Sequence, residues 1–362
     1  MAFFELNSKI TIGHQIIDGV QNHGDYVFSG VHDVEVKKGL HGYAESATIK
    51  LPSIGTMQYG KLRDDGTIKL LPVSPDAVIT GQLFTDGDPV TIMLGYNGDL
   101  REEFRGFIKR RDLSMPLVVE CEGYVRQLRL NNNLTINKKQ INVKDLLELA
   151  CKGTDIKVQC PVDFPLSGIK KIGNGVDILD HIMKCSDNAL NIFFIQPDVL
   201  WCGLTYTPYL AGTDVFSMPL VKYRLGWNVV KDNELKERIP SEPVQIIVNG
   251  KTVTGDTLRT ESKDKVAKRK VVFLLNNVPN NATLHAFAQE KQLTMNYTGY
   301  TGTINTFLQP YCQPGYSAYI VDARYPERNG TYMIESLLTH FGINGARRTI
   351  EIGPKLNGGD SL

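Results

Sequence analysis

Residues 89–108 read PVTIMLGYNGDLREEFRGFI. Two strand-like runs, Pro89–Leu94 and Glu103–Ile108, flank Gly95-Tyr96-Asn97-Gly98. Asn-Gly between apolar runs is a strong hairpin signal, because a tight primed turn needs positive φ at both central residues. Outward from this hairpin the period of two continues. Val27–Val36 alternates in part, Ala47, Ile49 and Leu51 alternate within Ala44–Leu51, and Leu117–Cys121 adds another strand. Five or six such strands predict a small antiparallel barrel or sandwich over residues 1–124. The run Gly55–Phe84 lacks this regularity and reads as a long excursion between strands.

Residues 125–213 change character. Val143, Leu146, Leu147 and Ala150 recur at helical spacing, with Asn142 placed as an N-cap, and Val176–Cys185 predicts a second short helix. Leu190–Phe194 and Leu200–Leu204 read as strands joined through Gln196-Pro197-Asp198, so the region is a small α/β module. Residues 214–362 return to β. Val244–Val248, Val271–Leu275, Tyr319–Asp322, Thr331–Leu338 and Arg348–Ile352 are strand-like, Thr283–Leu293 is helical, and a basic arm near 255–270 separates the first two strands. The fold class expected is therefore mainly β with an α/β insertion. The two flanking β regions have similar strand density, which hints at a duplicated barrel without a strict internal repeat.

Composition bounds the function. The 362 residues carry 40 Lys plus Arg against 39 Asp plus Glu, a formal charge of +1 that argues against a globally basic nucleic-acid binder. The balance is uneven along the chain: residues 1–124 hold 12 basic and 17 acidic side chains, residues 214–362 hold 18 and 14. No apolar run approaches the ~18 residues of a membrane span, and the N-terminal residues show no signal-peptide pattern. Cys121, Cys151, Cys160, Cys185, Cys202 and Cys312 form no C-x-x-C pair and read as reduced, mostly buried thiols.

Motifs for chemistry are weak throughout. Gly55–Lys61 fits G-x-x-x-x-G-K, but Leu62 stands where a phosphate loop needs Ser or Thr, and a turn follows where a helix should open. His14, His23, His32 and His41 recur every nine residues, a spacing that scatters them over different elements rather than converging them on a metal. The carboxylate pairs Asp64/Asp65 and Glu102/Glu103 would point to opposite faces of a strand and make no acid/base dyad. Arg259–Lys270 holds six basic residues but no aromatic for base stacking, so it reads as a solvated arm joining two strands. No catalytic, cofactor-binding or metal-ligating residue is therefore assigned, and no cofactor is expected.

The ordered set of strands and turn motifs resembles the tail hub proteins of contractile-tailed bacteriophages, the late control protein D group that includes Mu-like hubs, whose core type VI secretion spike proteins share. In the first region the resemblance rests on Phe28-Ser29-Gly30, Val34-Glu35-Val36, Ser46–Leu51, Gly87-Asp88-Pro89-Val90, Leu94-Gly95-Tyr96, Glu103–Ile108 with its central Phe104-Arg105-Gly106, and Glu120–Tyr124. In the last region it rests on Asn228-Val229-Val230, Tyr297–Gly302, Phe307–Pro310, Pro314-Gly315, Tyr325–Tyr332 and Gly345–Gly353.

The resemblance implies two small antiparallel β-barrel tube-forming domains, 1–124 and 214–362, around a less constant α/β insertion, 125–213. It implies a homotrimer whose six similar barrels match a hexameric tail tube on one side and a trimeric spike on the other. Its partners would be the tail tube protein, the spike protein and other baseplate proteins, with no specific nucleic-acid sequence and no membrane span. Its place would be the virion tail or baseplate, and the host cytoplasm during assembly. Such a protein works through interfaces and is not expected to be an enzyme. Two rivals are a cell-wall hydrolase and a glycan- or receptor-binding protein, for which Trp201, Trp227 and the 15 Tyr would supply stacking platforms.

Overall fold

The structure, a computed structural model, describes residues 5–13, 26–62, 68–132, 134–161, 164–186, 189–206, 219–232, 234–240, 242–262, 267 and 269–356. The chain divides into two compact units. One consists of Met1–Val36, Ser46–Gly123 and Thr339–Ala346, the other of Lys37–Glu45, Tyr124–Leu338 and Arg347–Leu362.

Among the described residues the first unit holds β1 Leu6–Ile12, β2 Tyr26–Phe28, most of β3 Asp33–Gly39, β4 Ser46–Leu51, β5 Ile54–Leu62, β6 Ile68–Ile79, β7 Pro89–Tyr96, β8 Asp99–Asp112 and β9 Leu117–Glu122, together with the strand ends in 339–346. Its main sheet runs β3-β4-β9-β8-β7-β1-β2, and the pairs from β4 through β2 are antiparallel. The β7–β8 hairpin closes on Tyr96 opposite Asp99, with Asn97 at φ 53° and Gly98 at φ 83°, the left-handed pair that the Asn-Gly signal demands. Alternate residues point inward, so Ile10, Ile12, Ile49, Leu51, Val90, Ile92, Leu94, Ile108, Leu117 and Val119 are almost wholly buried.

One irregularity breaks the alternation usefully. Register shifts between Ile92 and Met93, leaving Glu103 as the extra residue of a bulge. Glu103 and Phe104 are consequently both buried, and the Thr339 hydroxyl donates to the Glu103 carboxylate at 3.4 Å. The excursion expected at 55–84 is instead a hairpin, β5–β6, paired with itself alone. Two register shifts, at Thr56/Gln58 and Gln58/Gly60, erase the period that a sequence reading relies on.

The second unit begins with α1 Val125–Leu130, β10 Leu134–Asn142, α2 Val143–Ala150, β11 Lys157–Gln159, β12 Pro165–Gly173, α3 Gly175–Cys185, β13 Asn191–Gln196 and β14 Val199–Gly203. These elements share a core of Leu128, Val143, Leu146, Leu147, Phe164, Ile178, Ile182, Ile192 and Leu200. Both helices stand where their apolar spacing put them. Asn142 occupies the N-cap of α2 without a side-chain cap bond, whereas Asn174 and Asp177 form a reciprocal capping box on α3.

The unit continues through β15 Leu220–Arg224, β16 Val229–Lys231, β17 Lys236–Arg238, β18 Val244–Lys251, β19 Thr257–Glu261, β20 Arg269–Asn276, α4 Asn281–Asn296, β21 Gly299–Thr306, β22 Ser317–Val321, β23 Gly330–Gly342 and β24 Gly345–Lys355. Within it the strand order β16-β21-β24-β23-β22-β15 surrounds a core of Tyr223, Ile304, Ile320, Tyr332, Ile334, Ile350 and Ile352. A bridge between Leu225 and Val229 joins the two ends of that order. The β15–β22 pair is parallel, as is β18–β20. Between β18 and β20, where the sequence suggests an arm, Thr257–Glu261 forms β19 and pairs with β18. The helix α4 covers one face of this three-stranded sheet through Phe287, Leu284 and Ala288 against Ile246, Val248 and Leu275.

Candidate functional site

The motifs weighed for chemistry are dispersed by the fold. Gly55–Lys61 lies along the strand β5 and opens no helix, so it lacks the loop-to-helix geometry of a phosphate loop. His14 and His23 lie outside the described residues. His32 sits at the entry to β3, where its amide donates to the Lys50 carbonyl, and His41 lies in the second unit. Among the described residues no group of three or more His, Cys, Asp or Glu could hold a metal ion. Glu102 pairs with Arg105 at 2.7 Å and is partly exposed, while Glu103 is buried, so the two carboxylates do not share a site. Asp64 and Asp65 lie outside the described residues, as do 263–266 and 268 of the basic run. Arg259 pairs with Glu261 along β19, and Arg269 and Lys270 open β20.

The aromatic platforms separate cleanly. Trp201 is buried, packed near Phe193 at 6.4 Å between ring centroids, and is closed to any ligand. Trp227 is 76% exposed. All six cysteines are unpaired with one another; Cys121, Cys151, Cys202 and Cys312 are buried, and burial pushes the Cys151 thiol up to about 12, which keeps it unreactive.

One polar cluster is built from four distant segments of the second unit. His41 Nε2 lies 3.5 Å from the Glu335 carboxylate on β23. The Tyr206 hydroxyl donates to the same carboxylate, and the Tyr206 amide donates at 2.9 Å to Glu290 on α4. The bond to Glu335 raises His41 above its ordinary value, against the opposing effect of burial. Burial alone would raise Glu335, but the bonds from His41 and Tyr206 outweigh it and hold that carboxyl low. Glu290 is pushed up, chiefly by burial. A groove of about 360 Å³, lined by Lys37, Lys38, His41, Thr303, Ser336 and Glu351 among others, opens beside the cluster. Every acid in the cluster is engaged in a structural bond, so the arrangement clamps segments together. It could not be foreseen from sequence, since its members come from a loop, a strand end, a helix and a strand far apart in the chain.

The sign of its pH dependence follows from these shifts. His41 contributes stability that is complete below its unfolded value of 6.5 and is lost as pH rises through its higher folded value. Glu335 contributes stability above its unfolded value of 4.5, lost as pH falls through its lower folded value. The advantage of wild type over His41→Ala in Tm should therefore be greatest between about pH 4.5 and 6.5 and shrink toward pH 8. A thermal-melt series in which the difference grows with pH contradicts this pairing.

The other feature of the surface is apolar. Leu113, Met115, Trp227, Leu274 and Ile343 are each at least 70% exposed, on turns and on one face of β20. Contiguous exposed apolar surface, rather than any single side chain, marks protein–protein contact.

No protein-family model and no curated protein sequence matches the chain. Solved structures do. A tail protein from Neisseria meningitidis MC58 aligns at TM-score 0.59 and 15% identity over 98% of this chain and 97% of that one. The 43 kDa tail protein of prophage MuSo2 from Shewanella oneidensis aligns at 0.54 and 11% over 96% and 98%. The E. coli c3393 protein, described as a type VI secretion component with structural similarity to T4 bacteriophage tail proteins gp27 and gp5, aligns at 0.52 and 11% over 96% and 77%. Over nearly its whole length, then, the chain has the mainly β, phage tail hub-like fold of these tail proteins.

Proposed function

We propose that the protein is a structural component of a phage or prophage tail, acting as a homotrimeric baseplate hub of the late control protein D type. The observation that supports this reading most is the end-to-end match of fold to tail proteins of the same length. In the proposal, residues 1–124 and 214–362 are tube-forming domains and 125–213 is an insertion. Three chains then present six similar barrels to a six-fold tube protein and three-fold symmetry to a spike protein, a duplicated fold acting as symmetry adapter. The chain works in the virion tail after assembly in the host cytoplasm, and no chemistry is assigned to it.

Mass photometry at micromolar concentration should show a species of about three times 40.4 kDa, alone or with tube and spike proteins. The opposite charge surpluses of residues 1–124 and 214–362 favour alternation of unlike barrels, so assembly should slow as salt rises. A strict monomer under all these conditions contradicts the hub reading. Muralytic activity of the purified chain would favour the hydrolase rival instead.

A further inference from the structure

Two unpartnered patches lie on different units of the chain. In the first unit, Ile54 and Ile79 are cross-strand partners at the root of the β5–β6 hairpin, 57% and 53% exposed. The β8–β9 turn folds against that root. The Ser53 hydroxyl donates to the Ser114 carbonyl at 2.9 Å, and Arg111 donates to the carbonyls of Gly81 and Phe84. Leu113 and Met115 on this turn are 73% and 83% exposed. Four large apolar side chains thus share one corner. Arg110 and Arg111 beside it pair with Glu120 and Asp86, and the flanking strands β6 and β8 also carry Asp76, Asp112 and Lys109, one net negative charge.

In the second unit, Trp227 stands on the Leu225–Asn228 turn with the Arg224 guanidinium 5.9 Å over its ring. The turn is held from several sides. The Arg224 amide donates to Asn228 Oδ1 at 2.7 Å, Asn228 Nδ2 donates to the Lys222 carbonyl at 3.0 Å, and the Trp227 amide donates to the Arg224 carbonyl at 3.1 Å. Val230, just after the turn, is 43% exposed, and residues 219–231 contain Lys222, Arg224 and Lys231 but no acid. A rigidly presented Trp with a stacked Arg is the composition of an interface hot spot, since little ordering entropy remains to be lost on binding.

We propose that the Trp227 turn of one chain seats on the Ile54–Ile79–Leu113–Met115 corner of a second copy. The apolar surfaces match in kind, the cations of one face the acidic surplus of the other region, and the two patches are distinct. A contact between unlike patches is head-to-tail and closes into a ring when the rotation permits, which an isologous contact cannot do beyond a dimer. This inference rests on the self-association proposed above and names its surface.

The test mixes Trp227→Cys protein with Met115→Cys protein and adds a short bismaleimide. A covalent two-chain product is expected from the mixture, with wild type as control for Cys160 and Cys185, which are half-buried. Trp227→Ala should weaken self-association by about 30-fold or more, the equivalent of a 2 kcal/mol hot spot, while Trp227→Phe keeps most of it. Circular dichroism confirms that the variants fold. If wild type assembles but the mixture does not cross-link and Trp227→Ala assembles like wild type, this contact is overturned while the hub reading stands. If Trp227→Ala instead loses binding to a glycan array with self-association unchanged, the turn is a sugar platform and the contact is equally overturned. If wild type never associates, both readings fall.

Discussion

Replacing Arg348 by Met is expected to lower the unfolding free energy by about 3–4 kcal/mol, although Met keeps most of the aliphatic length. Arg348 is 0% exposed on β24, and it is among the largest side chains fully buried in the molecule. Its Nη1 donates to the Leu308 carbonyl at 2.7 Å and toward the Pro310 carbonyl at 3.3 Å, and its guanidinium lies 5.6 Å over the Tyr311 ring. The chain from Phe307 to Gln313 runs between β21 and β22 outside any named strand, and Arg348 reaches two of its carbonyls. Each buried carbonyl stripped of its donor costs about 1–3 kcal/mol, and Met offers none. Arg348→Lys should recover part of the loss by returning one donor group. Urea denaturation reads the effect directly. A midpoint for Arg348→Met equivalent to a loss under about 1 kcal/mol would mean that water reaches these carbonyls, and that Arg348 does not organise the segment.

Phe104→Ala should cost about 3–5 kcal/mol, the usual range for truncating a fully buried Phe. Phe104 is 0% exposed, opposite Ile92 in the β7–β8 ladder. Two neighbours restrict collapse of the cavity. The bulge at Glu103 fixes the direction of the strand, and Gly106 leaves no slack, since a Cβ there would lie 2.8 Å from Phe104 Cζ and press on the Glu122 carbonyl of β9. The close approach of β8 to β9 therefore explains why a glycine follows this phenylalanine by two. Phe104→Leu, which keeps most of the volume, should lose much less, under about 2 kcal/mol. Equal losses for the Leu and Ala variants would show that the site relaxes freely, and would remove tight packing as the reason for the Phe-x-Gly pattern.

Local chemistry was readable from the chain alone. Asn97-Gly98 had to turn, because only such residues take two successive positive φ values cheaply, and the flanking strands then fell into register. The helices α2 and α3 were visible from apolar residues spaced for one face. The order of motifs from Phe28 to Gly353 pointed to the tail-hub fold even though no single motif was specific, because turn glycines and strand lengths are set by the backbone path they must follow.

Tertiary structure alone decided what depends on distant partners. The parallel pairings β15–β22 and β18–β20 join strands whose sequences carry no label for direction. The self-paired β5–β6 hairpin shifts register twice, so its residues show no period. Lys37–Glu45 belongs to the second unit and Thr339–Ala346 to the first, an exchange invisible in linear order. Nothing in the sequence marks Arg348 or Glu290 for burial; carbonyls and amides from other segments make it tolerable. His41, Tyr206, Glu290 and Glu335 come together only because the second unit folds around them, and Trp201 is buried in β14, all of whose residues are buried, whereas Trp227 stands exposed on a turn. Composition governs what a segment can bury; the partners that make burial favourable come from elsewhere in the chain, so their identity emerges only with the fold.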